Sequence, residues 1–134
     1  MTIDELIENF AFFDSWEEKY QYVIDLGANL EPLEQKYKTE EWKVNGCQSQ
    51  VWLLPKYSEG KIHFYGDSDA ILVKGIIAIV LLIYNDKTAA EIKKVDVMEI
   101  FAKLGLEENL TPSRRNGMMS MVEKIRYYAD LYRK

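Results

Sequence analysis

The sequence predicts an α+β fold: a small antiparallel β-sheet built on a hairpin and packed against several α-helices. Three observations carry this expectation. Apolar residues recur at helical spacing near both ends of the chain, a β-prone segment from Gln50 to Gly66 is broken by turn chemistry at Ser58-Glu59-Gly60, and an apolar stretch long enough for a buried helix follows it. Helices set against a hairpin-based sheet are one of the few layered ways to bury such faces. A single domain over residues 1–134 is expected, because 48% hydrophobic and 13% aromatic residues suffice for one core. No repeat, low-complexity tract or Gly/Pro/Ser-rich linker divides it.

Taken in order, Thr2 and Glu5 have capping-box spacing, and Ile3, Leu6, Ile7 and Phe10 follow at helical intervals, so the first helix runs to about Phe12. Ser15 and Glu18 repeat the signal. The second helix turns Trp16, Tyr20, Val23, Ile24 and Leu26 inward and ends near Gly27, before Pro32. Glu34 to Asn45 is mostly polar and aperiodic, hence loop. Val51-Trp52-Leu53-Leu54 begins the hairpin, and Ile62, Phe64 and Gly66 alternate with Lys61, His63 and Tyr65 in its second strand. Ser68 or Asp69 can cap a helix over Ala70 to Tyr84, favoured over a strand by its length. Thr88 to Lys94 and Val95 to Leu104 suggest two shorter helices, the second closed by Gly105. Thr111-Pro112 is a cap followed by proline at the first helical position, and Met118, Met121, Val122, Ile125, Tyr128, Ala129 and Tyr132 mark the apolar face of the last helix.

Charge and cysteine content narrow the function. Seventeen Lys and Arg against 22 Asp and Glu give a formal charge of −5, which opposes phosphate neutralisation and argues against nucleic-acid binding. The acidic start, Met1-Thr2-Ile3-Asp4-Glu5, lacks the basic-then-apolar pattern of a secretory signal. The longest apolar run, Gly75 to Tyr84, falls well short of the roughly 20 residues that a membrane helix needs. One cysteine excludes an intramolecular disulfide and suits a reducing compartment, so a cytoplasmic location is expected.

Cys47 stands in Asn45-Gly46-Cys47-Gln48-Ser49-Gln50, among small and polar neighbours that allow another molecule's backbone to come close. The alternative is a free cysteine acting as a small core hydrophobe, and composition and spacing leave both readings open. Asp67-Ser68-Asp69 offers too few oxygens for a calcium site and reads as a helix cap. His63 is the only histidine, so a zinc site would need scattered acids, and no metal is expected. A Cys47–His63 nucleophile pair requires the cysteine loop to fold back on the strand, with no oxyanion-hole motif to support a hydrolase. Arg114 and Arg115 lie in the first turn of the last helix, where the macrodipole disfavours cations; either they are simply solvated, or one pairs with an acid or holds an anionic sulfur species. Met118, Met119 and Met121 read as core rather than as a cofactor box. No Gly-rich phosphate motif is present.

The string Gly46-Cys47-Gln48-Ser49-Gln50-Val51-Trp52-Leu53, together with Gly66-Asp67-Ser68-Asp69-Ala70 and Pro112-Ser113-Arg114 followed by Gly117, resembles the SufE family. Trp16-Glu17-Glu18-Lys19-Tyr20 with Leu26-Gly27, and Leu104-Gly105-Leu106, extend the resemblance over nearly the whole chain. It implies a SufE/IscU-like fold and an accessory, non-enzymatic sulfur acceptor in iron–sulfur cluster assembly. By the same resemblance, Cys47 takes persulfide sulfur from a cysteine desulfurase (SufS-like, or CsdA-like in the CsdE branch) and passes it to a SufBCD-like scaffold. Pyridoxal phosphate belongs to the partner, and this chain carries no cofactor. Gly46, Gln48 and Ser49 of the cysteine loop, with Asp69 and Arg114, are implied to be the residues that support that loop or engage the desulfurase. A binding module in which Cys47 is dispensable is the third reading, and the oligomeric state, a homodimer included, is left open.

Overall fold

Thr2 and Glu5 form the expected capping box. Thr2 Oγ1 accepts from the Glu5 N–H at 3.1 Å and a Glu5 carboxylate oxygen accepts from the Thr2 N–H at 3.3 Å, fixing the start of α1 (Ile3–Phe12). Ser15 Oγ caps α2 (Trp16–Ala28) through the Glu18 N–H. This computed structural model describes residues 1–132, at position 107 by backbone alone. Leu6, Phe10 and Val23 are the buried anchors of the two helices, and the rings of Phe10 and Tyr22 meet edge-on at 5.6 Å. Ile24 is only half-buried.

The polar stretch before the hairpin is not featureless. It holds two short 3-10 turns, Gln35–Tyr37 and Glu40–Trp42, then lies along the first strand, where the Val44 N–H donates to Val51 O at 2.8 Å. Strands β1 (Val51–Ser58) and β2 (Lys61–Ser68) pair antiparallel in the register Val51 with Ser68 and Ser58 with Lys61. Glu59 (φ 53°) and Gly60 (φ 82°) make the two-residue turn, both left-handed as such a turn demands. The first strand runs on past Pro55, which β1 tolerates as an edge strand, since proline there need donate no hydrogen bond to a further strand. Segment 85–87 covers the outer edge of β2: Asn85 exchanges two hydrogen bonds with the Phe64 backbone, and the Ile62 N–H donates to Lys87 O at 2.9 Å.

The core face of β2 carries Ile62, Phe64, Gly66 and Ser68, in the alternation expected, and packs on α3 (Ile71–Tyr84). The helix reading of this apolar stretch holds, and eight of its residues are buried. Its cap does not: Ala70 is the N-cap with no side-chain bond, while Ser68 Oγ accepts from the Ala70 N–H at 3.2 Å and Asp69 points elsewhere. α2 crosses α3 at two glycines. A Cβ on Gly75 would lie 2.1 Å from Val23 O, and one on Gly27 would lie 2.5 Å from Gly75 N, so the two backbones touch.

The two shorter helices are α4 (Ala89–Lys94), capped by Thr88, and α5 (Val97–Leu104), capped by Asp96 and ended by left-handed Gly105. A further short helix, α6 (Leu106–Asn109), is not anticipated by the periodicity. α7 (Pro112–Leu131) starts at Thr111, whose hydroxyl accepts from the Arg114 N–H at 3.3 Å. Its buried face is the predicted one from Met118 to Ala129, extended by Gly117, whereas Tyr132 lies past the helix as its C-cap and is only half-buried; Tyr128 brings the helix against Phe64 of the sheet. The architecture is α+β, with the hairpin on one side of α3 and α2 on another, and α7 closing the end from which the cysteine loop emerges.

Candidate functional site

Six residues, 45–50, separate Val44 from Val51, and the hydrogen bond between those two makes the intervening chain a closed loop. Cys47 is at its middle. Gly46 adopts φ +88°, a left-handed conformation that suits glycine, and a Cβ there would lie 2.7 Å from Ser120 Oγ of α7. One helical turn away, the Cys47 thiol donates to Gly117 O at 3.7 Å, and a Cβ on Gly117 would sit 3.4 Å from Cys47 Sγ. The loop therefore docks on the bare backbone of α7. Asp69 fastens its far end: Asp69 Oδ1 accepts from the Gln50 N–H at 3.1 Å, and the Asp69 N–H donates to Gln50 O at 3.4 Å.

Beneath the loop lies a cleft of about 360 Å³. Cys47, Gln48, Ser49 and Arg114, four of the residues singled out from the sequence, line it together. Gly46 and Asp69 hold the loop from outside it. The floor is apolar, built by Val51 of β1, Val73 and Ile76 of α3, and Met118 and Met121 of α7. Val73 and Ile76 carry no sign of this role in the sequence, where they read as the buried face of a helix. The two methionines are core residues, as expected, and also cleft floor. Thr111 and Ser113 line the rim beside Arg114, at the start of α7.

Burial pushes the Cys47 thiol up from its ordinary pKa. Desolvation disfavours the thiolate, and the thiol's one hydrogen-bond partner is a carbonyl that accepts a proton and offers none. The docked position thus favours the neutral thiol over the thiolate.

The acid cluster is divided among separate tasks. Asp67 takes Lys38 at 2.7 Å and Lys74 at 3.4 Å, tying the first 3-10 segment to β2 and α3. Burial opposes its charge, but the Lys38 and Ser68 hydrogen bonds and both lysine charges prevail and hold its pKa below the ordinary value. The cap reading of Asp67-Ser68-Asp69 is replaced by this ion pair, by the short Ser68 turn and by the Asp69 clamp. The Cys47–His63 pair is not formed. His63 pairs with Lys56, five residues along the hairpin from the Val51–Ser68 end, about 16 Å at strand spacing. Both its ring nitrogens are engaged instead, Nδ1 with Asp86 at 2.9 Å and Nε2 with Glu31 at 2.7 Å. Among the described residues no group of three or more His, Cys, Asp or Glu is placed to hold a metal ion, and no helix is long and apolar enough to cross a membrane.

The chain as a whole is similar to known proteins. Residues 4–129 match the SufE family, described as an Fe-S metabolism associated domain. An uncharacterised SufE-like protein of Rhizobium meliloti is 44% identical over 133 aligned residues, 96% of this chain and 95% of that one. A second, from Rhizobium etli, is 50% identical over 134 residues, 97% of this chain and 90% of that one. A solution structure of a hypothetical protein from Thermus thermophilus superimposes with a TM-score of 0.78 at 19% identity, over 98% of both chains, and shares the fold.

Proposed function

The chain belongs to the SufE family, and from that premise we propose that it is the sulfur acceptor of a pyridoxal-phosphate cysteine desulfurase of the SufS or CsdA type. The observation that carries the reading is the placement of Cys47: a lone thiol at the middle of a tethered loop, docked over an apolar cleft whose described lining contains no histidine or carboxylate. A hydrolytic cysteine needs a base within hydrogen-bond reach, whereas a carrier needs shelter and a way out.

In the transfer step the loop leaves α7 and the Cys47 thiol loses its proton. The thiolate attacks the outer sulfur of the partner's cysteine persulfide; an S–S bond forms at Cys47, the partner's S–S bond breaks, and the partner's cysteine departs as a thiolate that can take up the proton. Nothing is oxidised or reduced overall. Cys47 then yields the sulfur to an Fe–S scaffold of the SufBCD kind. Gly46, Gln48 and Ser49 shape the loop, Asp69 positions it through Gln50, and Arg114 supplies a cation at the cleft rim for an anionic sulfur species or a partner acid. The chain acts as an accessory protein in the cytoplasm and needs no cofactor of its own; the pyridoxal phosphate resides in the desulfurase.

The test is intact-protein mass after incubation with a cysteine desulfurase from the same organism, pyridoxal phosphate and cysteine. A reductant-labile gain of about 32 Da per sulfur is expected on the wild type and not on Cys47→Ser. In the same assay Asp69→Ala is expected to accept sulfur while its Cys47 reacts several-fold faster with iodoacetamide, because the loop's outer clamp is gone. An adduct that persists on Cys47→Ser, or none on the wild type, would overturn the carrier reading.

A further inference from the structure

On the flank of α7 away from the cysteine loop is a second hollow of about 310 Å³, walled by Met98 and Phe101 of α5 and by Pro112, Arg115, Met118 and Met119 of α7, with Asn116 as its other polar residue. Among the described residues Arg115 is the only charged one lining it. The Arg115 Nε–H is buried without a hydrogen-bond acceptor, and among the described residues no acidic side chain forms an ion pair with this arginine. The first turn of α7 contains no acid either, so the guanidinium stands at the positive end of the helix dipole. Apolar surroundings, an unused donor and an opposing dipole each raise the cost of this charge, and a single bound carboxylate relieves all three.

We propose that this hollow is a docking site for the desulfurase, taking an acidic side chain of the partner against Arg115 and a neighbouring apolar side chain between Met98 and Met119. Charge complementarity names the chemistry, since a half-buried arginine with an unused donor is matched by a carboxylate. Position names the source. Met118 is wall to both this hollow and the Cys47 cleft, and consecutive residues Arg114 and Arg115 line one each, so a protein that brings its persulfide to Cys47 covers the adjoining ground. Met98 is 40% exposed and free to close on an incoming apolar group. The site rests on the carrier reading and deepens it: Arg115 sets affinity for the partner and takes no part in sulfur transfer.

The test measures desulfurase turnover against the concentration of this chain, for wild type, Arg115→Gln and Arg115→Lys, with intact mass read in parallel. Arg115→Gln is expected to raise the half-saturating concentration about tenfold or more and to flatten its salt dependence, with one Cys47 sulfur still loaded at saturation. Arg115→Lys, which keeps the charge and loses the fork, falls between. The thermal midpoint of free Arg115→Gln is expected to match or exceed that of the wild type, because an unsatisfied cation has been removed. A half-saturating concentration within about twofold of wild type, with Cys47 loaded normally, overturns the site and leaves the carrier reading standing. A lowered thermal midpoint overturns it in favour of a structural role for Arg115. A wild-type dimer that Arg115→Gln dissociates in sedimentation assigns the hollow to a second copy and overturns the desulfurase assignment. No sulfur on wild-type Cys47 overturns the carrier reading itself.

Discussion

Burial works against a charge on His63, but hydrogen bonds to Asp86 and Glu31, with the charges behind them, outweigh it and hold the imidazole pKa above its ordinary value. A base favoured as the cation in the folded chain contributes stability fully below its unfolded pKa, about 6.5, and loses it as pH rises through the folded value. The difference in unfolding free energy between wild type and His63→Gln, followed by thermal melts, is therefore expected to shrink as pH is raised from about 6 to 8, by a few tenths of a kcal/mol, since both acids are well exposed and screened. A gap that widens with pH would overturn the assignment. Cys47 is the contrasting case, moved by burial alone with no ionic partner. Its candidacy was legible in the polar string around it, and the resemblance made Asp69 and Arg114 legible as well. Composition could not show that the thiol meets Gly117 O or that Arg115 faces an empty hollow. Both depend on which flank of α7 receives the loop, a contact across 70 residues of sequence.

Helices with local start signals were read closely from the chain. The Thr2, Ser15, Thr88 and Thr111 caps all bond the backbone N–H three residues on, and the elements they open begin as expected. Elements set by tertiary contact were not. α6 has four residues, too few for a period, and α3 starts without a side-chain cap because its anchor is the sheet it packs on. The meeting of α2 and α3 was equally hidden, for Gly27 read as a helix stop and Gly75 as one residue of an apolar run. The structure joins them in a backbone contact that no side chain can share, because the carbonyl of Val23 cannot rotate away. Gly75→Ala is expected to force the helices apart and cost about 2–3 kcal/mol, lowering the thermal midpoint on the order of 10 °C despite alanine's better helix propensity. An unchanged or raised midpoint in circular dichroism would show that the crossing can relax.

Across the whole molecule, one continuous cluster of buried residues runs from Leu6 in α1 to Ala129 in α7 and takes in both strands. Unfolding is expected as a single cooperative transition, with far-ultraviolet circular dichroism and tryptophan fluorescence (Trp16, Trp42 and Trp52) superimposing; two separated midpoints would divide the chain into more than one unit. The same body sets the working radius of the sulfur it is proposed to carry. The Val44–Val51 bond pins both ends of the cysteine loop to the sheet, and three residues, fully stretched, advance Cys47 only about 10 Å from that base. Diffusion of a long arm is thus closed to this protein. A donor sulfur must wait within that span of the partner's surface, and whatever collects the sulfur afterwards must come equally close, so delivery is governed by the shape of the bodies that meet rather than by the length of a tether.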